Sequence, residues 1–149
     1  MTALVLMACA TACSGMKDGK QSAGIAGNDA ADVEVLALEL PRIPSTISEP
    51  EDMAGFLAIH FWDNLDFKDS EKSLDADFME RNFVEYLSIL PAVLAEDRKA
   101  AFNELIERAS ATPETREMIV MFGKKYLHHP QSPMHNDEYY RDFVAASQR

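Results

Sequence analysis

The chain has 149 residues, enough for one domain with a buried core. Its 25 acidic and 14 basic residues give a net charge of -11. That balance argues against a DNA or RNA partner, which needs a basic patch. It also argues against docking on anionic lipid through charge, and solubility is its simplest use.

Both cysteines, Cys9 and Cys13, fall in the first thirteen residues, at the end of the run Thr2-Ala3-Leu4-Val5-Leu6-Met7-Ala8-Cys9-Ala10-Thr11-Ala12-Cys13. An apolar core followed by small residues is the pattern of an export signal. No Lys or Arg precedes Lys17, so the positive start of such a signal is missing and Met1 reads as an internal methionine. The segment resembles a bacterial lipoprotein signal, in which the cysteine takes the lipid. Residues 1–13 are therefore read as signal. Cys13 is the expected attachment point and Cys9 the alternative. The implied location is the cell envelope, periplasm or outer membrane, with the membrane contacted through the lipid. The apolar run is too short to span a bilayer, which needs about 20 residues.

Residues 14–32 hold four of the six glycines, Gly15, Gly19, Gly24 and Gly27, among Ser, Ala, Asp and Lys. Such a stretch buries too little apolar surface to offset its ordering entropy and reads as a tether. About 20 flexible residues reach roughly 25 Å. The helical domain then covers residues 33–149. It opens with an arm punctuated by Pro41, Pro44 and Pro50, whose prolines favour extended backbone. Val33, Val35, Leu38, Leu40 and Ile43 are its expected contacts with the domain. A short helix over residues 32–38 is the competing expectation.

Five helices follow. Ser48 with Glu51 suggests a capping box for the first, which carries Met53, Phe56, Leu57, His60 and Phe61 at helical spacing. Asp63-Asn64 ends it, and Leu65-Asp66-Phe67 starts a polar loop. Asp75 caps the second, with Met79, Phe83, Tyr86, Leu87 and Leu90 as its stripe and Pro91 as its stop. The third, residues 96–109, presents Phe102, Leu105, Ile106 and Ala109. Thr112-Pro113-Glu114 starts the fourth, with Met118, Met121, Phe122 and Tyr126 as its apolar face. Pro130 and Pro133 mark a loop, and Asn136 caps a fifth helix bearing Tyr139, Tyr140, Phe143 and Val144. There is no internal repeat and no alternating segment long enough for a central strand. The fold class is all-α, helices packed as successive antiparallel hairpins behind a proline-rich arm.

Motifs for chemistry are sparse. His128, His129 and His135, with Met134, are the densest set of metal-ligand types, and imidazole with thioether suits copper. Their spacing matches no metal-site template, so no metal and no other cofactor is expected. His60, a turn before Asp63, pairs a base with an acid, although a core-edge histidine bonded to its neighbour explains it equally. Asp63, Asp66 and Asp69 recur every third residue, whereas a calcium loop alternates its ligands. No phosphate loop, nucleophile elbow or zinc-protease motif appears, and no catalytic residue is assigned. Trp62 and Phe67 are the candidate binding surface, at the end of the first helix.

His60-Phe61-Trp62-Asp63-Asn64-Leu65-Asp66-Phe67, behind the Pro41, Pro44, Pro50-Glu51 arm, resembles the opening of an uncharacterised helical domain of Gram-negative envelope lipoproteins. Tyr126-Leu127-His128-His129-Pro130-Gln131-Ser132-Pro133-Met134-His135-Asn136-Asp137-Glu138-Tyr139-Tyr140 is similar to that domain's second hallmark. Phe83-Val84-Glu85-Tyr86-Leu87 falls where the family has a similar helix. In that family the domain typically precedes a thioredoxin-like domain, and it brings no established activity. The resemblance implies a lipid-anchored envelope protein associated with thiol-disulfide reductases. The signal, the tether and the absence of catalytic motifs point to a non-catalytic module that binds or positions a partner, a thioredoxin-like domain or another envelope protein. The alternative is the detached front half of a thiol-disulfide oxidoreductase, because the sequence ends at Arg149 with no Cys-x-x-Cys.

Overall fold

A proline-punctuated arm leads into the helices of the protein, a computed structural model that describes residues 37–149. Two asparagines pin the arm. Asn82, fully buried, accepts the Leu38 N–H at 2.9 Å while its own amide donates to the Phe78 carbonyl at 2.8 Å. Asn64 donates to the Glu39 carbonyl at 2.7 Å. Leu38 packs against the core, whereas Leu40, expected as a contact, faces solvent. Val33 and Val35 lie outside the described residues.

Helix α1 spans Pro50–His60. The Ser48–Glu51 capping box does not form. Pro50 at the first helical turn holds Glu49 extended, at φ -77° and ψ 134°, so the helix starts after Glu49 and Ser48 lies outside it. The segment after α1 is less polar than its composition suggests, because Leu65 and Phe67 turn inward. A short helix that the sequence did not suggest, α2 (Ser70–Ser73), follows it, with the Asp69 carboxylate accepting the Glu71 N–H. Helix α3 (Ala76–Ile89) is capped by Asp75, which accepts from the N–H groups of Asp77 and Phe78, both at 3.0 Å. Its whole expected stripe is buried, and Pro91 diverts the chain through the 3-10 turn Leu90–Ala92.

Helix α4 (Ala95–Ala109) occupies the middle of the molecule, against α1 on one side and α6 on another. Helix α5 (Pro113–Gly123) starts as the Thr112-Pro113 pair dictates, with the Thr112 hydroxyl accepting the Thr115 N–H. Its buried face is Thr115, Ile119, Phe122 and Gly123, and Met121 points to solvent. Reading Met121 as apolar face placed the stripe too far round the helix; Ile119 is its true centre. The helix then widens into the π-turn Lys124–His128, closed by the His129 N–H on the Lys124 carbonyl at 3.1 Å. Helix α6 (Asp137–Ser147) is capped by Asn136 and buries Phe143 and Ala146.

The all-α class holds: the described residues form helices and turns, with no strand. The core is aromatic. Phe83 meets Phe122 and Phe143, Phe102 meets Tyr86 and Phe143 edge-on, and Trp62 touches Phe61, Phe67 and Tyr86. Edge-to-face pairs of this kind add about 0.5–1.5 kcal/mol each beyond area burial. Gly123 permits the closest approach. A Cβ there would lie 2.2 Å from Phe143 Cε1, so α5 and α6 meet at a position that accepts only hydrogen.

Candidate functional site

The sequence candidates land in four different places. Cys13 and Cys9 lie outside the described residues. Trp62 and Phe67 are core, 1% and 4% exposed, so they form no surface. Helix α1 ends at His60, two residues before Trp62, and the turns that follow bring the Trp62 ring against Phe61, Phe67 and Tyr86. This corrects the binding-surface expectation.

The histidines serve separate local contacts. His128 stacks flat on Tyr140, ring centroids 4.4 Å apart and planes 16° from parallel. His129 Nδ1 accepts the Gln131 N–H at 3.2 Å. His135 Nε2 stands 3.6 Å from Asp137 Oδ1. Among the described residues no group of three or more His, Cys, Asp or Glu side chains is placed to hold a metal ion. His60 bonds Asp63 through Nδ1 at 2.9 Å and lies against Phe56. The other Asp63 oxygen accepts from Arg108 at 2.6 Å, and Arg108 is also bonded to Glu104. Asp63 is thus an ion-pair partner joining the end of α1 to α4.

Two polar clusters went unread in the sequence. Arg98, 5% exposed, donates from Nη2 to Glu138 at 2.6 Å and to Asp142 at 2.8 Å, with Nε on Asp142 at 3.0 Å. Its guanidinium lies 4.5 Å from the Tyr139 ring centre. Burial alone would lower its pKa, but the bonds to Asp142 and Glu138 outweigh that and hold it above its ordinary value. The signal was available: Arg98 shares the helical stripe of Ala101, Phe102 and Leu105, and Glu138 with Asp142 supplies an acid pair one turn apart. The second cluster lies on the π-turn, where Lys125 and Tyr126 both donate to Glu80 Oε1. The Lys125 and Tyr126 bonds hold the Glu80 carboxyl below its usual range. Desolvation and the bond to Glu80 push the Tyr126 phenol up.

Two of the clefts adjoin at Pro91. One, of about 340 Å³, is lined by Leu87, Pro91, Leu127, Pro133, Met134 and Tyr139 among others. Beside it, sharing Pro91, is a cleft of about 280 Å³ between Pro50-Glu51 at the start of α1 and residues 91–94 before α4. Leu94 there is 41% exposed. Pro91 lies between Pro133 in one cleft and Pro50 in the other. No helix among the described residues is long and apolar enough to cross a membrane.

These features define a small all-α domain with an aromatic core and two adjoining clefts. Residues 12–147 match the family described as a domain of unknown function (DUF5106), and the chain belongs to that family. It is similar to a solved structure, a thioredoxin-like protein from Bacteroides caccae, at 33% identity and a TM-score of 0.67. The likeness covers 73% of this chain and 39% of that one, so the chain spans about two fifths of that protein's length. No curated protein matches it. The expected association of this helical domain with thioredoxin-like proteins is thereby met.

Proposed function

We propose that the chain is a lipid-anchored, non-catalytic helical module of the cell envelope that binds or positions a thioredoxin-like domain. The observation that carries the reading is the 33% identity, at a TM-score of 0.67, to part of a thioredoxin-like protein. The lack of a catalytic motif in the sequence and the adjoining clefts support a binding role. The test is calorimetric titration of the chain with the part of the Bacteroides caccae thioredoxin-like protein that lies outside the match. A saturable 1:1 complex is expected, and no measurable heat at hundreds of micromolar would refute the reading. The lipid anchor rests on the run ending at Cys13 or Cys9. Palmitate labelling that disappears in the Cys13→Ser, Cys9→Ser double variant is expected, and unchanged labelling or none refutes it.

A second reading is favoured by one observation, the 39% share of the relative that the chain covers. Here the module is the front part of a longer thiol-disulfide oxidoreductase and acts on a domain in the same polypeptide. Reading the gene beyond the Arg149 codon decides it. A continuing reductase frame supports this version, and an immediate stop with no such frame nearby removes it.

A further inference from the structure

Asn82 stands in the inward stripe of α3, among Phe78, Met79, Phe83 and Tyr86, and is fully buried. An amide placed there is costly unless its polar atoms find partners. The arm supplies one from its backbone, since Asn82 Oδ1 accepts the Leu38 N–H at 2.9 Å. From the turn after α1, Asn64 Nδ2 donates to the Glu39 carbonyl at 2.7 Å. Leu38 also packs its side chain against the core. Two side-chain amides thus read an N–H and a C=O of successive residues, and an apolar seat reads one side chain. Main-chain hydrogen bonds combined with a side-chain pocket are how a groove holds an extended polypeptide.

The arm contributes little burial of its own. None of residues 37–49 is buried; Leu38, Pro41, Ile43 and Ile47 are half-buried and the rest face solvent. Its local backbone bond is the turn in which the Ile47 N–H donates to the Pro44 carbonyl at 3.0 Å. So little burial scarcely offsets the entropy of ordering the segment, and segments of this kind open while the rest of a fold stays closed. Pro41 and Pro44 keep a released arm extended, in the form its seat accepts.

We infer that residues 37–43 are an exchangeable strap, and that their seat between α3 and the turn after α1 takes the same strap from a second copy of this chain. The arm is the occupant whose fit the structure shows. A second copy presents the identical N–H, carbonyl and leucine, so each contact made within one chain is remade between two. Exchange in both directions is self-complementary and closes at a dimer. The Pro44–Ile47 turn is the hinge that opens. A strap in the same chain has the advantage of proximity, so exchange needs a high concentration of chains. The inference is independent of the partner proposed above.

The test uses the full chain. Sedimentation velocity from micromolar to millimolar concentration should show monomer giving way to dimer. An excess of a synthetic peptide of residues 33–47 should return the dimer to monomer, and a scrambled peptide of the same composition should not. Leu38→Asp removes the apolar anchor and leaves the seat intact. That variant should stay monomeric, keep its helical circular dichroism and bind the peptide at least tenfold more tightly than the parent, whose own arm competes. Asn64→Ala, a change at an exposed position, should speed hydrogen exchange of the Leu38 amide at least tenfold while the protection of α4 is unchanged. A parent that stays monomeric at millimolar concentration overturns the inference. So does a dimer that persists in Leu38→Asp or in excess peptide. Unchanged Leu38 exchange in Asn64→Ala overturns it as well, whether or not Leu38→Asp folds.

Discussion

Replacing Arg98 by methionine tests how α6 is held on α4. Arg98 is 5% exposed and makes three hydrogen bonds to two carboxylates, with Tyr139 against its guanidinium. Removing one partner of a buried ion pair costs about 3–5 kcal/mol, because the remaining charge is left unpaired. The Glu138 side chain is 59% exposed and stays hydrated, so Asp142 alone carries that penalty and the low end applies. Loss of the cation–π contact adds about 0.5–1 kcal/mol, and methionine preserves the packing of the aliphatic stem. The expected loss is therefore about 3–4 kcal/mol, a large part of the ~5–15 kcal/mol that stabilises a typical domain. Urea unfolding followed by fluorescence of Trp62, the single and buried tryptophan, measures it. The midpoint should fall with little change in slope. The double variant Arg98→Met, Asp142→Leu should recover most of the loss, since an apolar replacement of a buried pair is often neutral. A single-variant loss below about 1 kcal/mol, or a double variant no better than the single, would refute this account of the α4–α6 contact.

Three other outcomes follow from individual contacts. Glu80 has its pKa lowered by Lys125 and Tyr126, so its contribution is complete above its unfolded value near 4.5 and is lost as pH falls through the depressed value. Lys125 has its pKa raised by Glu80, so its share is complete below its unfolded value near 10.5 and is lost as pH rises past the raised one. The stability difference between the parent and Glu80→Gln should thus be flat from pH 5 to 10 and shrink at pH 2–3; a difference that persists unchanged at pH 2 contradicts the pairing. Gly123→Ala should destabilise by about 1–3 kcal/mol, as overpacking does, because its Cβ falls on the Phe143 ring; a neutral thermal melt would show that α5 and α6 are not in such contact. Tyr86→Phe should leave stability unchanged or raise it by about 1 kcal/mol, since the buried Tyr86 hydroxyl has no hydrogen-bond partner among the described residues; a loss above 1 kcal/mol in urea would mean that the hydroxyl is satisfied.

The elements were legible where a local signal and a tertiary demand coincide. Asp75, Thr112-Pro113 and Asn136 each start a helix where expected, because a cap acts on its own first turn whatever lies around it. The Ser48–Glu51 box failed because Pro50 sits inside it and moves the helix start, a conflict between two local rules that neither resolves alone. Met121 and the Trp62–Phe67 pair failed for a different reason. Facing in or out depends on neighbours such as Phe61, Tyr86 and Ile119 that arrive from elsewhere in the chain. The π-turn left no readable trace, since one added residue in a helix shifts the stripe without changing composition. The cleft beside α1 was hidden because its walls come from Pro50-Glu51 and residues 91–94, two segments that no periodicity links.

The position of the cysteines limits how such a domain can act. Both precede residue 14, and the sequence from Ser14 to Arg149 holds none. Residues 33–149 therefore offer no thiol for a mixed disulfide with the thioredoxin-like partner proposed above. Coupling through those residues rests on shape, hydrogen bonding and charge. Charge has a definite sign here, because Glu51 lines the cleft beside α1 and Glu49, Asp52 and Glu96, its near neighbours in sequence or those of Leu94, are exposed carboxylates. A thiol brought close to them would have its pKa raised, since neighbouring negative charge disfavours the thiolate. Its nucleophilic fraction at neutral pH would fall. A thioredoxin-like domain seated on this cleft with its cysteines near Glu51 and Glu96 would be quietened rather than activated, whereas one seated with its cysteines turned away would keep its reactivity and gain only a fixed position. The rate of thiol alkylation by iodoacetamide, measured on the partner with and without this chain, separates the two orientations. A slowing that disappears in Glu51→Gln, Glu96→Gln places the thiol at the acidic border, and an unchanged rate in the saturated complex places it elsewhere.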